Sequence, residues 1–196
     1  MTTITVGQVK ELRALTGCAL MDCKEALAAS NGDIEQAIMQ LRTKGKTHAA
    51  KKSARPTAEG AIVSYVHSNG KIGVLVSLLC ETDFVSRNEK FQALARDLAL
   101  HIAAMDPTAV SPEDIPATLL AAEEAIATEQ AKTSGKPFEI QQKMIEGKLN
   151  KFRAERALLT QSFVKDPNKT ITNLINEAIA ELGENISVAE FRRLSI

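Results

Sequence analysis

The chain has 196 residues, and its 24 Lys plus Arg balance 24 Asp plus Glu, so no net field recruits nucleic acid or an anionic membrane. Hydrophobic residues make up 44% but aromatics only 4%, with no Trp, which calls for an aliphatic, largely helical core. The three cysteines show no C-x-x-C spacing, so neither a disulfide framework nor a zinc site is encoded. No run approaches the ~18 apolar residues of a membrane span, and the N-terminus has no basic-then-apolar signal pattern. The expectation is a soluble cytoplasmic protein whose partner is another protein.

In chain order, Thr5 can cap a first helix in which Val6, Val9, Leu12 and Leu15 recur at helical spacing until Gly17 stops it. A second helix spans about 19–29 and is closed by Ser30-Asn31-Gly32. Asp33 caps a third, with Ile34, Ala37, Ile38 and Leu41 facing one way until Gly45. Residues 1–45 thus read as a three-helix module. Its first turn, 16–22, is a candidate contact surface, because Leu20-Met21 is more apolar than an inter-helix turn requires, although both residues could simply cap a small core.

A basic stretch follows, with Lys44, Lys46, Lys51, Lys52 and Arg55 among small residues and Pro56 at its end; 46–56 reads as a flexible or marginally helical linker. No aromatics interleave these charges, which argues against a base-stacking surface. The domain proper is expected over 57–196. Residues 60–67 and 71–80 read as strands joined by an Asn69-Gly70 hairpin signal. The second strand is apolar on both faces, so both should be covered by helices or by a second subunit.

Glu81-Thr82-Asp83-Phe84-Val85-Ser86-Arg87 comes next, where the strand gives way to a helix. Ser86 and Glu89 have capping-box spacing, which predicts a helix start near Arg87 and a rigid corner carrying Asp83 and Phe84. Locally, Phe84 could tuck into the core while Asp83 serves the helix N-terminus. Phe91, Leu94, Leu98, Ile102 and Met105 give that helix an apolar stripe, and Asp106-Pro107 stops it. Two helices over about 116–133 and 137–160, around Ser134-Gly135-Lys136, predict a helical hairpin within about 113–160. A last helix over 171–182, stopped by Gly183, and an edge strand over 186–194 complete an α+β chain: a small antiparallel sheet packed with helices.

No enzyme constellation emerges. Cys18, Cys23 and Cys80 lack an evident base, and His48, His67 and His101 are scattered. There is no Gly-x-x-x-x-Gly-Lys phosphate loop, so the chain is not expected to hold nucleotide, metal or another cofactor itself.

Two stretches carry a resemblance. Thr82-Asp83-Phe84-Val85 is similar to one signature of the elongation factor Ts family, and Leu12-Arg13-Ala14-Leu15-Thr16-Gly17-Cys18-Ala19-Leu20-Met21-Asp22-Cys23-Lys24-Glu25-Ala26-Leu27 resembles the other. The similarity continues through Gly135-Lys136-Pro137 and Gln161-Ser162-Phe163-Val164 to Leu182-Gly183-Glu184-Asn185-Ile186. Ala19 departs from the family's usual glycine, and Ser77 and Leu79 from a more polar pattern. The resemblance implies a UBA-like N-terminal module and guanine-nucleotide exchange on elongation factor Tu, in its GDP-bound and nucleotide-free states, with no covalent chemistry. It implies that Thr82, Asp83, Phe84 and Val85 disturb the partner's magnesium site, and that Leu12, Arg13, Met21, Asp22 and Lys24 form a separate contact. His67 resembles a position near the interface, or is an ordinary strand-end polar residue. By resemblance to the short forms, two copies could pair as a homodimer. The competing classes are an adaptor that binds without exchange and a cysteine-dependent enzyme.

Overall fold

The structure, a computed structural model, describes residues 4–16, 18 and 20–196, with backbone alone at 42 and 45–51. Gly17 and Ala19, read as the stop of the first helix and the start of the second, lie outside the described residues. The order of elements is α1 (Val6–Thr16), α2 (Leu20–Ala29), α3 (Ile34–Lys52), β1 (Glu59–Val66), β2 (Ile72–Cys80), α4 (Asp83–Ser86), α5 (Glu89–Met105), α6 (Ala117–Thr133), α7 (Phe138–Arg156), β3 (Ser162–Phe163), β4 (Asp166–Thr170), α8 (Ile171–Leu182) and β5 (Ile186–Ser195). The expected α+β architecture is present. Strands β1, β2 and β5 form a three-stranded sheet in that order, so β5 is an edge, as its wet face predicted.

The chain divides into two compact units. The first gathers Met1–Ala61, Leu78–Leu94 and Asn173–Ser187; the second gathers Ile62–Ser77, Ala95–Thr172 and Val188–Ile196.

In the first unit, the helical module begins at a reciprocal cap: the Gln8 amide donates to Thr5 Oγ1 at 3.3 Å and the Thr5 amide donates to Gln8 Oε1 at 3.0 Å. Asp33 caps α3 by accepting from the Gln36 amide at 3.0 Å. The three helices bury Val9, Leu12, Cys23, Ala26, Leu27, Ala37 and Leu41 together, with Ile4, Cys18, Ile34 and Ile38 packed around them. Val6 and Leu15, expected on the same stripe of α1, are exposed. The third helix does not stop at Gly45. It continues to Lys52, because one glycine costs only about 1 kcal/mol and the alanines and lysines beyond it favour helix. Its end is tied down by Lys52 Nζ, which donates to the Gly183 carbonyl at 2.6 Å.

The expected Ser86/Glu89 capping box is not formed. Ser86 Oγ instead donates to the Asp83 carbonyl at 2.8 Å, closing the single turn α4, and Asn88 caps α5 by accepting from the Lys90 amide at 2.9 Å. The corner is therefore a helical turn followed by a helix, not one helix start. On β2, Val74, Val76, Leu78 and Cys80 are buried, whereas on the opposite face Leu75 is 51% exposed and Ser77 and Leu79 are half-buried; of the two covers expected, helices or a second subunit, the chain itself leaves Leu75 open.

In the second unit, α6 and α7 form the expected hairpin. Ala109, Ile115 and Ala157 are buried at its base, with Leu120 and Phe152 packed on them. The second helix ends at Arg156 rather than near 160, where a 3-10 turn takes over, and it has no fully buried residue. Away from that base α7 packs chiefly against α6, and Phe138 stays 72% exposed while Ile145 and Leu149 are half-buried. The β3–β4 pair was not anticipated, being too short to show alternation.

Candidate partner-binding site

The residues 80–88 form the most distinctive surface of the first unit. The end of β2 is fixed by the burial of Leu78 and Cys80, so the chain leaves the sheet at a defined point. Thr82 is extended, with φ −130° and ψ 157°, and both of its donors meet one carboxylate: its amide reaches Glu184 Oε2 at 3.0 Å and its hydroxyl reaches Glu184 Oε1 at 2.7 Å. Its carbonyl accepts from Cys80 Sγ at 3.1 Å and from the Ser86 amide at 3.2 Å. All the polar atoms of Thr82 are thus engaged just before the turn that carries the next three residues.

That turn holds Phe84 away from the protein. Phe84 is 83% exposed, an apolar residue left in water on a fixed backbone. The alternative in which Phe84 fills the local core does not occur. Asp83 is half-exposed and pairs with Arg87 Nη2 at 3.1 Å. A surface pair of this kind is weak, so the Asp83 carboxylate can change partner at little cost. Val85 is half-buried beneath the turn.

The cysteines offer no activated nucleophile. Burial, and then the neighbouring Glu184 carboxylate, push the Cys80 thiol above its ordinary range, so it remains an S–H donor to Thr82. Burial likewise raises the Cys18 thiol. Among the described residues no group of three or more His, Cys, Asp and Glu could hold a metal ion, and no helix is long and apolar enough to cross a membrane.

The other expected residues divide by burial. Arg13 and Lys24 are exposed, and Met21 is 61% exposed beside exposed Leu20, so the module presents an apolar surface at the start of α2. Leu12 is completely buried in the module core. Asp22 binds Lys44 Nζ at 2.6 Å, joining α2 to α3, and Glu25 binds the same ammonium at 2.9 Å. These two carboxylates, Asp22 first, raise the Lys44 pKa. In the second unit, His67 is exposed at the end of β1 with its Nδ1 3.0 Å from Tyr65 Oη.

The sequence assigned no bracing role to the residues that hold the corner, although Glu184 and Asn185 lie in a stretch that carries the resemblance. Besides Glu184, Asn185 donates from its backbone to Glu81 Oε1 at 2.7 Å and from its side chain to the Arg55 carbonyl at 2.8 Å. Arg55 in turn lies 3.5 Å from Glu81 Oε1. The one local signal for Glu184 is its place: a carboxylate just past a helix C-terminus, where the helix dipole disfavours negative charge.

With this geometry in view, comparison with known proteins is informative. A family model described as Elongation factor TS matches residues 14–196. The chain is 53% identical to Elongation factor Ts of Geobacter sulfurreducens, over 97% of this chain and 88% of that protein. It is 53% identical to Elongation factor Ts of Fervidobacterium nodosum and 52% identical to that of Thermosipho melanesiensis, each over 98% of both chains.

Proposed function

The chain belongs to the elongation factor Ts family, and from that premise we propose that it acts as a guanine-nucleotide exchange factor on elongation factor Tu, without covalent chemistry. A GTPase grips its diphosphate through backbone amides, a lysine and a magnesium ion, and release is slow because these contacts must break together. A protein that binds the empty state more tightly than the loaded one weakens the nucleotide by the same factor by which the nucleotide weakens it.

In this reading the corner 82–85 is the wedge. Phe84 inserts between packed elements of the partner, which shift as units because close-packed interiors do not deform smoothly. Asp83 trades Arg87 for polar groups around the partner's magnesium ion and its waters. Thr82 and Val85 hold the turn. The observation that carries the reading is the 83% exposure of Phe84 two residues after Thr82, whose amide, hydroxyl and carbonyl are all hydrogen-bonded.

The module 1–45 docks separately through Arg13, Met21, Asp22 and Lys24, with Leu12 supporting that surface from beneath; two attachments on one chain raise the effective concentration of each. The segment 46–56 joins it to the domain 57–196, and His67 adds a contact from the domain. We place a homodimer seam on the uncovered face of the β1–β2 hairpin. The bond from the His67 amide to the Ile72 carbonyl sets a register in which Ser64 faces Leu75, so Ile62, Val66 and Leu75 share that open face.

The decisive experiment is release of fluorescent GDP from elongation factor Tu after mixing with this protein and excess unlabelled GDP. Accelerated release is expected. Binding without acceleration refutes exchange and makes the protein an adaptor. Replacing all three cysteines should leave exchange intact, which separates this reading from cysteine-dependent catalysis.

A further inference from the structure

We propose that Glu184 is a positioning residue for nucleotide exchange: its carboxylate clamps Thr82 and thereby fixes the direction in which Phe84 is presented. The proposal rests on the exchange reading above and extends it to a residue 102 positions away in sequence.

Three observations carry it. First, the clamp is two-pronged. The Thr82 amide and hydroxyl donate to different oxygens of one carboxylate, at 3.0 and 2.7 Å. A single bond would leave a hinge, whereas two bonds to a planar group fix orientation as well as distance.

Second, the turn that carries Glu184 is itself pinned on both sides. Gly183 adopts φ +82°, and its amide closes α8 on the Ile179 carbonyl at 3.0 Å. Its carbonyl accepts from Lys52 Nζ at 2.6 Å, and Asn185, 6% exposed, is tied to Glu81 and to the Arg55 carbonyl. Glu184 is therefore an anchored point against which Thr82 is held, rather than a mobile side chain recruited by it.

Third, local preference opposes the residue. A carboxylate immediately beyond the C-terminus of α8 faces the negative end of the helix dipole. The tertiary contact with Thr82 offsets that penalty. The Thr82 carbonyl then receives the Cys80 thiol and the Ser86 amide, so the restraint passes directly into the turn that bears Phe84.

The test is Glu184→Gln, which keeps size but places an amide donor against one of the two Thr82 donors. Release of fluorescent GDP from elongation factor Tu would be measured for wild type, Glu184→Gln, Phe84→Ala and the double variant. Loss of one charge-assisted bond is expected to lower the maximal release rate by about tenfold while the protein concentration giving half-maximal rate stays within about twofold. Combined with Phe84→Ala, Glu184→Gln is expected to add no further loss, because there is no ring left to aim. Amide hydrogen exchange of the free protein provides a readout independent of the partner: residues 83–88 should lose protection while the centre of α5 retains it. An unchanged release rate, or an equal loss with and without Phe84, overturns the proposal. So does unchanged protection of 83–88, whatever the exchange assay gives. A wild-type protein that fails to accelerate release, yet shows the protection change in Glu184→Gln, overturns the exchange reading instead.

Discussion

Replacing Phe84 by Ala separates a functional ring from a structural one. Phe84 leaves 83% of its surface in water, so of an area of ~200 Å² only about 35 Å² is covered by the protein itself. At ~25 cal/mol/Å² that coverage is worth less than about 1 kcal/mol, so the melting temperature should fall by no more than a few degrees. The exposed remainder, about 165 Å², would contribute up to about 4 kcal/mol when buried in a partner. Only the part of that energy gained in the nucleotide-releasing state accelerates release. Ring truncation at a wedge should therefore lower the rate by roughly 30-fold to 1,000-fold, the range of a strong interface residue. Stopped-flow release of fluorescent GDP reads the rate, and a thermal melt reads the fold. A well-folded Phe84→Ala protein that releases GDP within about threefold of wild type would refute the reasoning, as would a variant that loses several kcal/mol of stability.

Gly60→Ala should be costly although it is a small change. A Cβ there collides with the Leu78 carbonyl oxygen and lies 2.9 Å from Leu79 Cα, both backbone atoms that cannot rotate away, so a loss of about 2 kcal/mol or more in urea unfolding is expected. Buried His101 accepts the Val164 amide at Nδ1, 3.2 Å, and its Nε2 lies 3.0 Å from Gln161 Oε1; burial lowers its pKa. Because the folded pKa lies below the unfolded value, this contribution to stability is complete above pH ~6.5 and is lost as pH falls below it. The urea midpoint should drop more between pH 7.5 and 5.5 for wild type than for His101→Gln, and equal drops would refute this. Leu75→Lys places a charge on the open face of β2. Sedimentation at micromolar concentration should give a dimer for wild type and a monomer for the variant, and a monomeric wild type would remove the proposed seam.

Much of this protein is written in short-range signals. Thr5, Asp33 and Gly183 mark helix ends that the structure reproduces, Asn69-Gly70 joins two real strands, and α8 occupies its expected residues Ile171–Leu182. The two signature stretches were legible for the same reason, since each is a local run of residue types. Tertiary structure decided the rest. Asn88 rather than Ser86 caps α5, because the Ser86 hydroxyl finds the Asp83 carbonyl within the α4 turn. The third helix runs through Gly45 to a contact with Gly183, and β2 leaves Leu75 open although both its faces are apolar. Glu184 holds Thr82 in defiance of its own helix dipole. A sequence records cap, turn and period, which act over about four residues; which distant groups meet depends on how the elements pack, and that packing made a rigid mount of a corner whose ring and acid were visible from the start.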